Sequence, residues 1–311
     1  MARQKKRLTP LGIIAAVAVL AFVLFANLGD RNVFPGWLQN PVNTANSATG
    51  HLIFPDQPAK IENLEVCFFD VGQADSIFVS CDGATMLIDA GNPDDSDTVE
   101  NNLKRLGVTS LDYVVGTHPH SDHIGGLSQI ISDFNVKEIM MTGTANNTNV
   151  YYNLLKTIQS KGKKITKPAV GKTTKFGGGS FTVDAPNAAY EDMNNDSIVI
   201  RFTYHKLSFL FTGDASKDSE KDMLSRHDNL QADVLKVGHH GSQTATSAAF
   251  LKAVNPRYAV ISVGASNSYG LPDESVISRL ENAGVKVFRT DENGTVIFKS
   301  DGDTITCNTE K

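Results

Sequence analysis

The sequence lacks the features that mark several classes of protein. It has 3 cysteines and 1 tryptophan in 311 residues, which excludes a disulfide-dense scaffold. A single long uncharged hydrophobic run is present, so a multi-span membrane protein is excluded too. Basic residues are outnumbered beyond the first ten positions. Four of the 29 Lys and Arg lie within those ten positions, which leaves 25 basic residues against 34 acidic ones in the rest of the chain. Residues 11–311 therefore carry a net charge of −9, against −5 for the whole chain, which argues against a protein that holds nucleic acid by bulk charge.

The hydrophobic run lies near the N-terminus. It covers residues 11–26, follows the basic cluster directly and has no polar face. Such a pattern is typical of a secretory signal or a short membrane anchor, and its basic end favours a cytoplasmic N-terminus. We expect an uncleaved anchor within residues 1–28, with the rest of the chain outside the membrane. A cleaved signal, and hence a secreted protein, is the alternative.

The remaining chain is predicted to form a linker and one domain. Residues 29–60 are rich in Asn, Pro, Gly, Ser and Thr without periodicity, which indicates a flexible linker. Residues 61–311 alternate strand patterns with helical ones, including a helix over 98–106 and a second over 124–134. We therefore predict an α+β domain in which helices cover two sheets, in an αββα layering.

The most informative segment follows a predicted buried strand over residues 113–117. It places His118, His120, Asp122 and His123 within six positions, and imidazole nitrogen and carboxylate oxygen are the ligands that zinc-like ions accept. The two histidines spaced by two residues can point to the same side of an extended strand end. The Asp and His that follow fall at the start of a helix and can address a second ion.

Two further features belong with this segment. Gly125 and Gly126 are expected to remove side-chain bulk where the helix approaches the metal loop. Farther along, an apolar strand runs into His239 and His240, which packing alone explains poorly. We assign His240 to metal and His239 to substrate or proton transfer, since adjacent residues at a strand end point in opposite directions; the reverse order is the alternative. Ser242 can bind an anionic oxygen or cap the following helix.

The HxHxDH pattern of residues 118–123 resembles the metallo-β-lactamase superfamily. The resemblance implies a four-layer αββα sandwich. It also implies that Asp89, at the end of a strand, is the buried carboxylate that supports the histidine loop. Asp214, at the end of another strand, matches the carboxylate that bridges two metal ions.

Four other stretches narrow the resemblance. Residues 69–77, 235–242, 255–264 and 269–272 look like the C-terminal domain of the ComEC family, the bacterial DNA-uptake competence proteins. This similarity covers about residues 62–300 and implies a nuclease that degrades the non-transported DNA strand. It extends to secreted hydrolases of the same branch and to phosphorylcholine esterase catalytic domains.

The sequence departs from these families at three points. The membrane channel of the ComEC family is missing, so the chain is expected to be the hydrolase module acting alone. Relatives commonly have histidine where Leu271 stands. No third histidine for the first metal occurs in residues 193–197, where Asn195 or Asp196 could bind weakly; alternatively Asn195 shapes the turn. The first site could therefore accept manganese, although zinc is the metal we expect.

The expected reaction is hydrolysis of a phosphoester by hydroxide that two metal ions activate. Asp122 would ligate the second metal and orient the nucleophile, and His239 would protonate the leaving oxygen. DNA is a candidate substrate. The lysine-rich, acid-free segment over residues 156–175 could guide a polyanion, although a solvated helix and loop is the favoured explanation of that segment.

Three alternatives stay open from sequence. The chain could be a cell-envelope phosphodiesterase acting on choline- or polyol-phosphate esters. It could be a β-lactamase, which the His-His-Gly-Ser motif disfavours. It could also be a metal-stabilised binding module without enzymatic activity. Asp122 and Asp214 argue against the last possibility, because a structural zinc site needs no open bridging position.

Overall fold

The computed structural model describes residues 63–226 and 229–311. The predicted anchor and linker lie outside the described residues, and so do the first two residues of the predicted domain. Within the described part, no helix is both long and apolar enough to cross a membrane.

The first sheet is formed by the N-terminal half of the domain and completed by its last two strands. Its members are β1 (Leu64–Phe68), β2 (Ile77–Cys81), β3 (Ala84–Ile88), β4 (Ser110–Gly116), β5 (Asn135–Met141), β6 (Ile165–Thr166), β14 (Val296–Ser300) and β15 (Ile305–Thr309). Their order is β15-β14-β1-β2-β3-β4-β5-β6. From β3 to β6 the neighbouring strands are parallel, so their carboxyl ends meet at one edge.

The second sheet comes from the C-terminal half. Its members are β7 (Thr173–Phe176), β8 (Gly179–Ala185), β9 (Val199–Tyr204), β10 (Leu207–Phe211), β11 (Val234–Lys236), β12 (Tyr258–Ile261) and β13 (Lys286–Arg289). The order is β13-β12-β11-β10-β9-β8-β7. Strands β10 to β13 are parallel to one another, which again gathers carboxyl ends at one edge.

The helices lie on the outer faces of the two sheets. Those on the first sheet are α1 (Ser96–Arg105), α2 (Ser121–Ile124), α3 (Leu127–Asp133) and α4 (Asn149–Ser160). Those on the second sheet are α5 (Lys217–Ser225), α6 (Ala248–Val254) and α7 (Glu274–Asn282), and the short helix α8 (Thr290–Asn293) precedes β14. The predicted helix over 124–134 is wrong as a single element, because it is divided into α2 and α3 at a Gly-Gly pair.

Three hydrophobic clusters account for the layering. The central cluster joins the facing sides of the sheets through residues such as Phe68, Phe202 and Phe209. The other two clusters join each sheet to its own helices. Strand β1 shows the alternation: Phe68 points between the sheets, whereas Cys67 points to the helical side. The predicted α+β architecture with two helix-covered sheets is confirmed.

Gly125 marks a close backbone approach between α2 and the loop after β3. A Cβ atom at Gly125 would lie 2.3 Å from the backbone carbon of Asn92 and the nitrogen of Pro93, well inside van der Waals contact. The sequence predicted room for the metal loop at this glycine. The structure instead shows that the glycine admits the backbone of the loop that follows β3.

We therefore expect Gly125→Ala to lower the free energy of unfolding by about 1–3 kcal/mol, because backbone must shift to admit one methyl group. Thermal unfolding of the metal-free chain should show a decrease of several degrees in Tm. Gly143→Ala is the control, since the nearest atom to a Cβ there is the flexible end of Lys167, at 3.2 Å. Equal Tm values for the two variants would contradict this account.

Candidate metal centre

The loop after β4 begins with two histidines. His118 is buried, and its Nε2 lies 3.0 Å from Nδ1 of His120 and 3.8 Å from Oδ2 of Asp214. On the other side of the ring, the Nδ1 of His118 contacts the hydroxyls of Thr117 at 3.2 Å and Ser197 at 3.3 Å. These contacts orient the ring and leave its Nε2 facing the other histidine and the carboxylate.

His123 is oriented by Asp89, which lies at the carboxyl end of β3. The two buried side chains meet at 2.8 Å between Nδ1 and Oδ2. The same carboxylate accepts hydrogen bonds from the amide and the hydroxyl of Thr117, at 2.8 and 2.7 Å. Because a carboxylate only accepts, His123 carries its proton on Nδ1. Its Nε2 then points at Oδ1 of Asp214, 3.3 Å away.

His239 and His240 lie in a left-handed turn after β11, not on an extended strand end. Their φ angles are 50° and 52°, which non-glycine residues seldom adopt outside functional sites. His240 is buried and its Nδ1 donates to the carbonyl of Ser262 at 2.9 Å. Its Nε2 lies 3.3 Å from Oδ2 of Asp122 and 3.7 Å from Oδ2 of Asp214.

His239 is the more exposed of the pair. Its side chain is 27% exposed, with Nε2 3.7 Å from Oδ2 of Asp214. Its Nδ1 contacts the hydroxyl of Thr244 at 3.2 Å. The turn thus brings both imidazoles to the same carboxylate, one from inside the protein and one from the solvent side.

The cluster fits a divalent cation. Ligand atoms of Asp122, His123, Asp214 and His240 lie within 4.8 Å of one another. Among the described residues, the buried atoms without a hydrogen-bond partner include His123 Nε2, Asp214 Oδ1 and His240 Nε2. Buried polar atoms are costly without a partner, and here three of them converge. A cation at this point would satisfy all three, and the N/O donor set suits zinc or manganese.

The charges at the cluster favour ionised carboxylates. Burial opposes ionisation of Asp214, but His123 and His240 outweigh it and hold the pKa of the carboxyl well below its usual range. In Asp122 the same two histidines outweigh burial and lower the pKa as well. Both carboxylates are therefore acceptors at neutral pH, as cation binding requires.

A buried ion pair, Lys236 with Asp75, lies next to His240 of the metal cluster. Lys236 Nζ lies 2.9 Å from Oδ2 of Asp75, and both side chains are almost fully buried. The other oxygen of Asp75 is 3.4 Å from Nδ1 of His240. Asp75, Asp89 and His123 form a second close group of potential metal ligands. In this group, however, Asp75 is already paired with the ammonium of Lys236. The sequence analysis missed this pair, although a lysine inside the apolar strand β11 was a visible signal.

Two residues proposed for the first metal lie elsewhere. The amide oxygen of Asn195 accepts from the backbone N–H groups of Ser216 and Ser219, each at 3.1 Å, and so positions the chain after Asp214. This arrangement matches the alternative in which Asn195 shapes the turn. The carboxylate of Asp196 accepts from the Thr144 hydroxyl at 2.8 Å.

A cavity of about 180 Å³ opens above the cluster. It is lined by Gln73, His120, Asp122, Asn194, Asp214, His239, His240, Tyr269 and Leu271. Leu271 therefore presents an apolar side chain to this cavity. Ser242 is not brought to this cavity: its hydroxyl contacts that of Thr244 at 2.9 Å. The helix that follows is capped by Ser247.

The fold and this site define a protein class. The family model described as "Metallo-beta-lactamase superfamily" matches residues 69–265, and the chain belongs to that superfamily. Its fold is that of metal-dependent hydrolases and implies binding of divalent metal.

Within the superfamily the chain is ComEC-like. It is 29% identical over 254 residues to "ComE operon protein 3" of Bacillus subtilis, covering 76% of this chain and 33% of that protein. It is 29% identical over 292 residues to "Competence protein ComA" of Neisseria gonorrhoeae, covering 93% of this chain and 38% of that protein. The chain thus spans between 33% and 38% of the length of these relatives.

Solved structures agree with the fold. One is "Igni18, a novel metallo hydrolase" from Ignicoccus hospitalis, 20% identical with a TM-score of 0.54, covering 76% of this chain and all of that one. Another is "CmlA, a diiron beta-hydroxylase" from Streptomyces venezuelae, 12% identical with a TM-score of 0.52, covering 78% of this chain and 55% of that one. At these identities the likeness concerns the fold alone.

Proposed function

We propose that the chain is a metal-dependent phosphodiesterase that acts on nucleic acid. The observation that carries the proposal is the convergence of buried, unpartnered His123 Nε2, Asp214 Oδ1 and His240 Nε2 beneath an open cavity. A structural site would be closed by its ligands, whereas this cluster opens to solvent through His239 and the half-buried Asp122.

The side chains divide into two sets around Asp214. The first set is His118, His120 and Asp214, and the second is Asp122, His123, His240 and Asp214. Two divalent ions bound there would supply positive charge that lowers the pKa of water and attracts phosphate oxygens. We expect zinc, with manganese as the alternative.

The chain's own groups perform the proton chemistry. Asp122 stays ionised because nearby histidines lower its pKa, so it can accept a hydrogen bond from the attacking water and orient it. His239 is exposed to the cavity and its Nδ1 is held by Thr244. It is therefore placed to donate a proton to the leaving oxygen.

The preference for phosphodiesters rests on charge and on the relatives. The domain is acidic, and two bound cations would provide the positive field that a phosphate needs. The likeness to competence proteins favours DNA over choline or polyol phosphates. Placement of the catalytic domain outside the membrane belongs to the same proposal and rests on the basic, hydrophobic N-terminal pattern.

A substrate panel tests the proposal. The purified full-length chain, supplied with Zn²⁺ or Mn²⁺, is incubated with bis(p-nitrophenyl) phosphate, single-stranded DNA, double-stranded DNA, glycerophosphocholine and nitrocefin. We expect cleavage of the small diester and of DNA, its loss on chelation by EDTA, and its return when metal is restored. Nitrocefin should remain intact.

Three results would overturn parts of this assignment. Turnover of glycerophosphocholine but not DNA would favour the envelope phosphodiesterase. Nitrocefin turnover would favour a β-lactamase. Tight metal binding without turnover of any phosphoester would indicate a binding module.

A further inference from the structure

Tyr269 is unusual in being both aromatic and exposed at the site. It is 74% exposed and lines the cavity above the metal cluster. Among the described residues the only other exposed large hydrophobic side chain is that of Tyr152, at 52%, and it does not line this cavity. An exposed ring beside a catalytic cavity offers a flat face to a ligand.

The loop that carries Tyr269 is held by hydrogen bonds from one side chain. The side chain of Asn267 accepts from the N–H groups of Tyr269 and Leu271, both at 3.1 Å. Its amide nitrogen donates to the carbonyls of Gly264 and Leu271, at 3.0 and 2.6 Å. Four hydrogen bonds from one side chain fix this turn. The ring therefore stands out from an ordered backbone, and little ordering is required before it can bind a ligand.

A second, larger cavity is lined in part by the segment between β8 and β9. In the order of the second sheet, β10 and β11, which lead to Asp214 and His240, separate that segment from β12, after which Tyr269 lies. The volume of this cavity is about 500 Å³, within the range of cavities that bind small molecules. Its walls are Thr142, Gly143, Thr144, Lys167, Pro168, Pro186, Ala188, Ala189, Tyr190 and Asp196. Apart from the lysine and the aspartate, the lining is neutral and consists mainly of small or apolar side chains.

The carboxylate in this cavity is already engaged. Asp196 is buried and accepts from the Thr144 hydroxyl at 2.8 Å and the Tyr190 amide at 3.4 Å. Lys167 is exposed at the mouth, next to Gly143. The ammonium is therefore the charged group of this cavity that is open to solvent, whereas the carboxylate is buried and hydrogen-bonded.

Strand order places the second cavity close to the metals. The metal loop follows β4, Thr142 follows β5, and Lys167 follows β6, and these three strands are parallel neighbours. At about 4.8 Å between strands, the lysine lies roughly 10 Å along the sheet edge from the metal loop. One short turn, Met193–Asp196, contributes to both cavities: Asn194 lines the first and Asp196 lines the second.

The intervening loop is tied to the metal loop. The amide of Asn146 donates to the carbonyl of Pro119, between the two metal-loop histidines, at 2.8 Å. This hydrogen bond joins the metal loop to the loop after β5, which contributes Thr142, Gly143 and Thr144 to the second cavity. A ligand long enough to span the metal cluster and this cavity would meet a preformed surface.

We propose that the site takes an extended single-stranded polynucleotide across three points. A base stacks on Tyr269, the scissile phosphate lies at the metal cluster, and a neighbouring nucleotide enters the second cavity with its phosphate on Lys167. The proposal rests on the proposed function. A duplex fits poorly, because its bases are already stacked and paired, and only an unpaired base exposes a face to the tyrosine.

We call the three points, Tyr269, the metal cluster and Lys167, the single-strand track. Binding of a labelled single strand tests this track independently of cleavage. Fluorescein-labelled dT12 with phosphorothioate linkages, which slow hydrolysis, is titrated by fluorescence anisotropy with the full-length, zinc-loaded chain at several salt concentrations. Tyr269→Ala should weaken binding about fivefold or more and leave the salt dependence unchanged. Lys167→Ala should weaken binding and reduce the slope of log K against log salt by about 0.7, the value for one phosphate contact.

Matched controls separate the track from general effects. Tyr152→Ala removes the other exposed tyrosine. Lys206→Ala removes an exposed lysine in the turn between β9 and β10, at the opposite end of the sheet from the carboxyl edge. Both should bind dT12 as the wild type does.

The outcomes are distinct for the two proposals. If Lys206→Ala matches Lys167→Ala, if Tyr269→Ala has no effect, or if an unlabelled 12-base-pair duplex competes as well as dT12, the single-strand track is wrong. If bis(p-nitrophenyl) phosphate is not hydrolysed but dT12 binds with these dependences, the track stands and the hydrolase assignment fails.

Discussion

Replacing Asp214 with alanine is expected to reduce metal-dependent phosphodiester hydrolysis by roughly 10³-fold or more, since loss of one preorganised electrostatic group already costs 10²–10³. The physical reason is the central position of the Asp214 carboxylate among the histidines. Its Oδ2 lies 3.7–3.8 Å from ring nitrogens of His118, His239 and His240, and its Oδ1 lies 3.3 Å from His123. No other carboxylate of the described cluster approaches all four histidines.

The loss should appear in metal content as well as in rate. Without this carboxylate the two proposed ligand sets share no group, and the buried Nε2 of His123 loses the acid nearest to it. We expect the variant to retain less zinc than the wild type after desalting, measured by inductively coupled plasma mass spectrometry. Initial rates with bis(p-nitrophenyl) phosphate give the activity.

Asp112→Asn is the matched control for this variant. Asp112 lies near the start of β4, at the far end of the strand that leads to the metal loop, and accepts a hydrogen bond from the Thr85 amide at 2.8 Å. This variant should keep both its metal and its rate. If Asp214→Ala retained full zinc and full rate while folded, the cluster would not be the active site.

Residue spacing alone grouped only candidate ligands that lie close together in the chain, whereas Asp89 and Asp214 were assigned to the site through the family resemblance. The spacing of His118, His120 and His123 indicated a metal loop. In the structure, His118 and His123 face Asp214, and His120 contacts His118. The support from Asp75 and Lys236 was not predicted. Their pairing joins positions far apart in sequence and is created only when β11 is inserted beside β10 and β12.

Local geometry was also hard to predict. The assignment of His239 and His240 assumed an extended strand end, whereas a left-handed turn positions both rings. A pair of histidines in a sequence does not predict positive φ angles, because non-glycine residues seldom adopt them. Helix α5 was not predicted for a different reason. Met223 is the only fully buried apolar side chain of this helix, so the segment shows little hydrophobic periodicity.

Replacing Lys236 with methionine is expected to lower the free energy of unfolding by about 3–5 kcal/mol, because it leaves the carboxylate of Asp75 buried without its counter-charge. Both side chains are at most 1% exposed, and Nζ lies 2.9 Å from Oδ2. Urea unfolding of the metal-free chain, in EDTA, measures the change without a contribution from metal binding.

Two comparison variants isolate the charge. Lys206→Met removes a lysine whose Nζ–Oδ1 distance to Asp303 is also 2.9 Å, but both of its partners are exposed, so no measurable loss is expected. The double variant Lys236→Met with Asp75→Asn removes both buried charges and should recover more than half of the lost stability. If the double variant were no more stable than Lys236→Met alone, the loss would come from packing around the lysine stem. The ion pair would then not be what holds Asp75 beside His240.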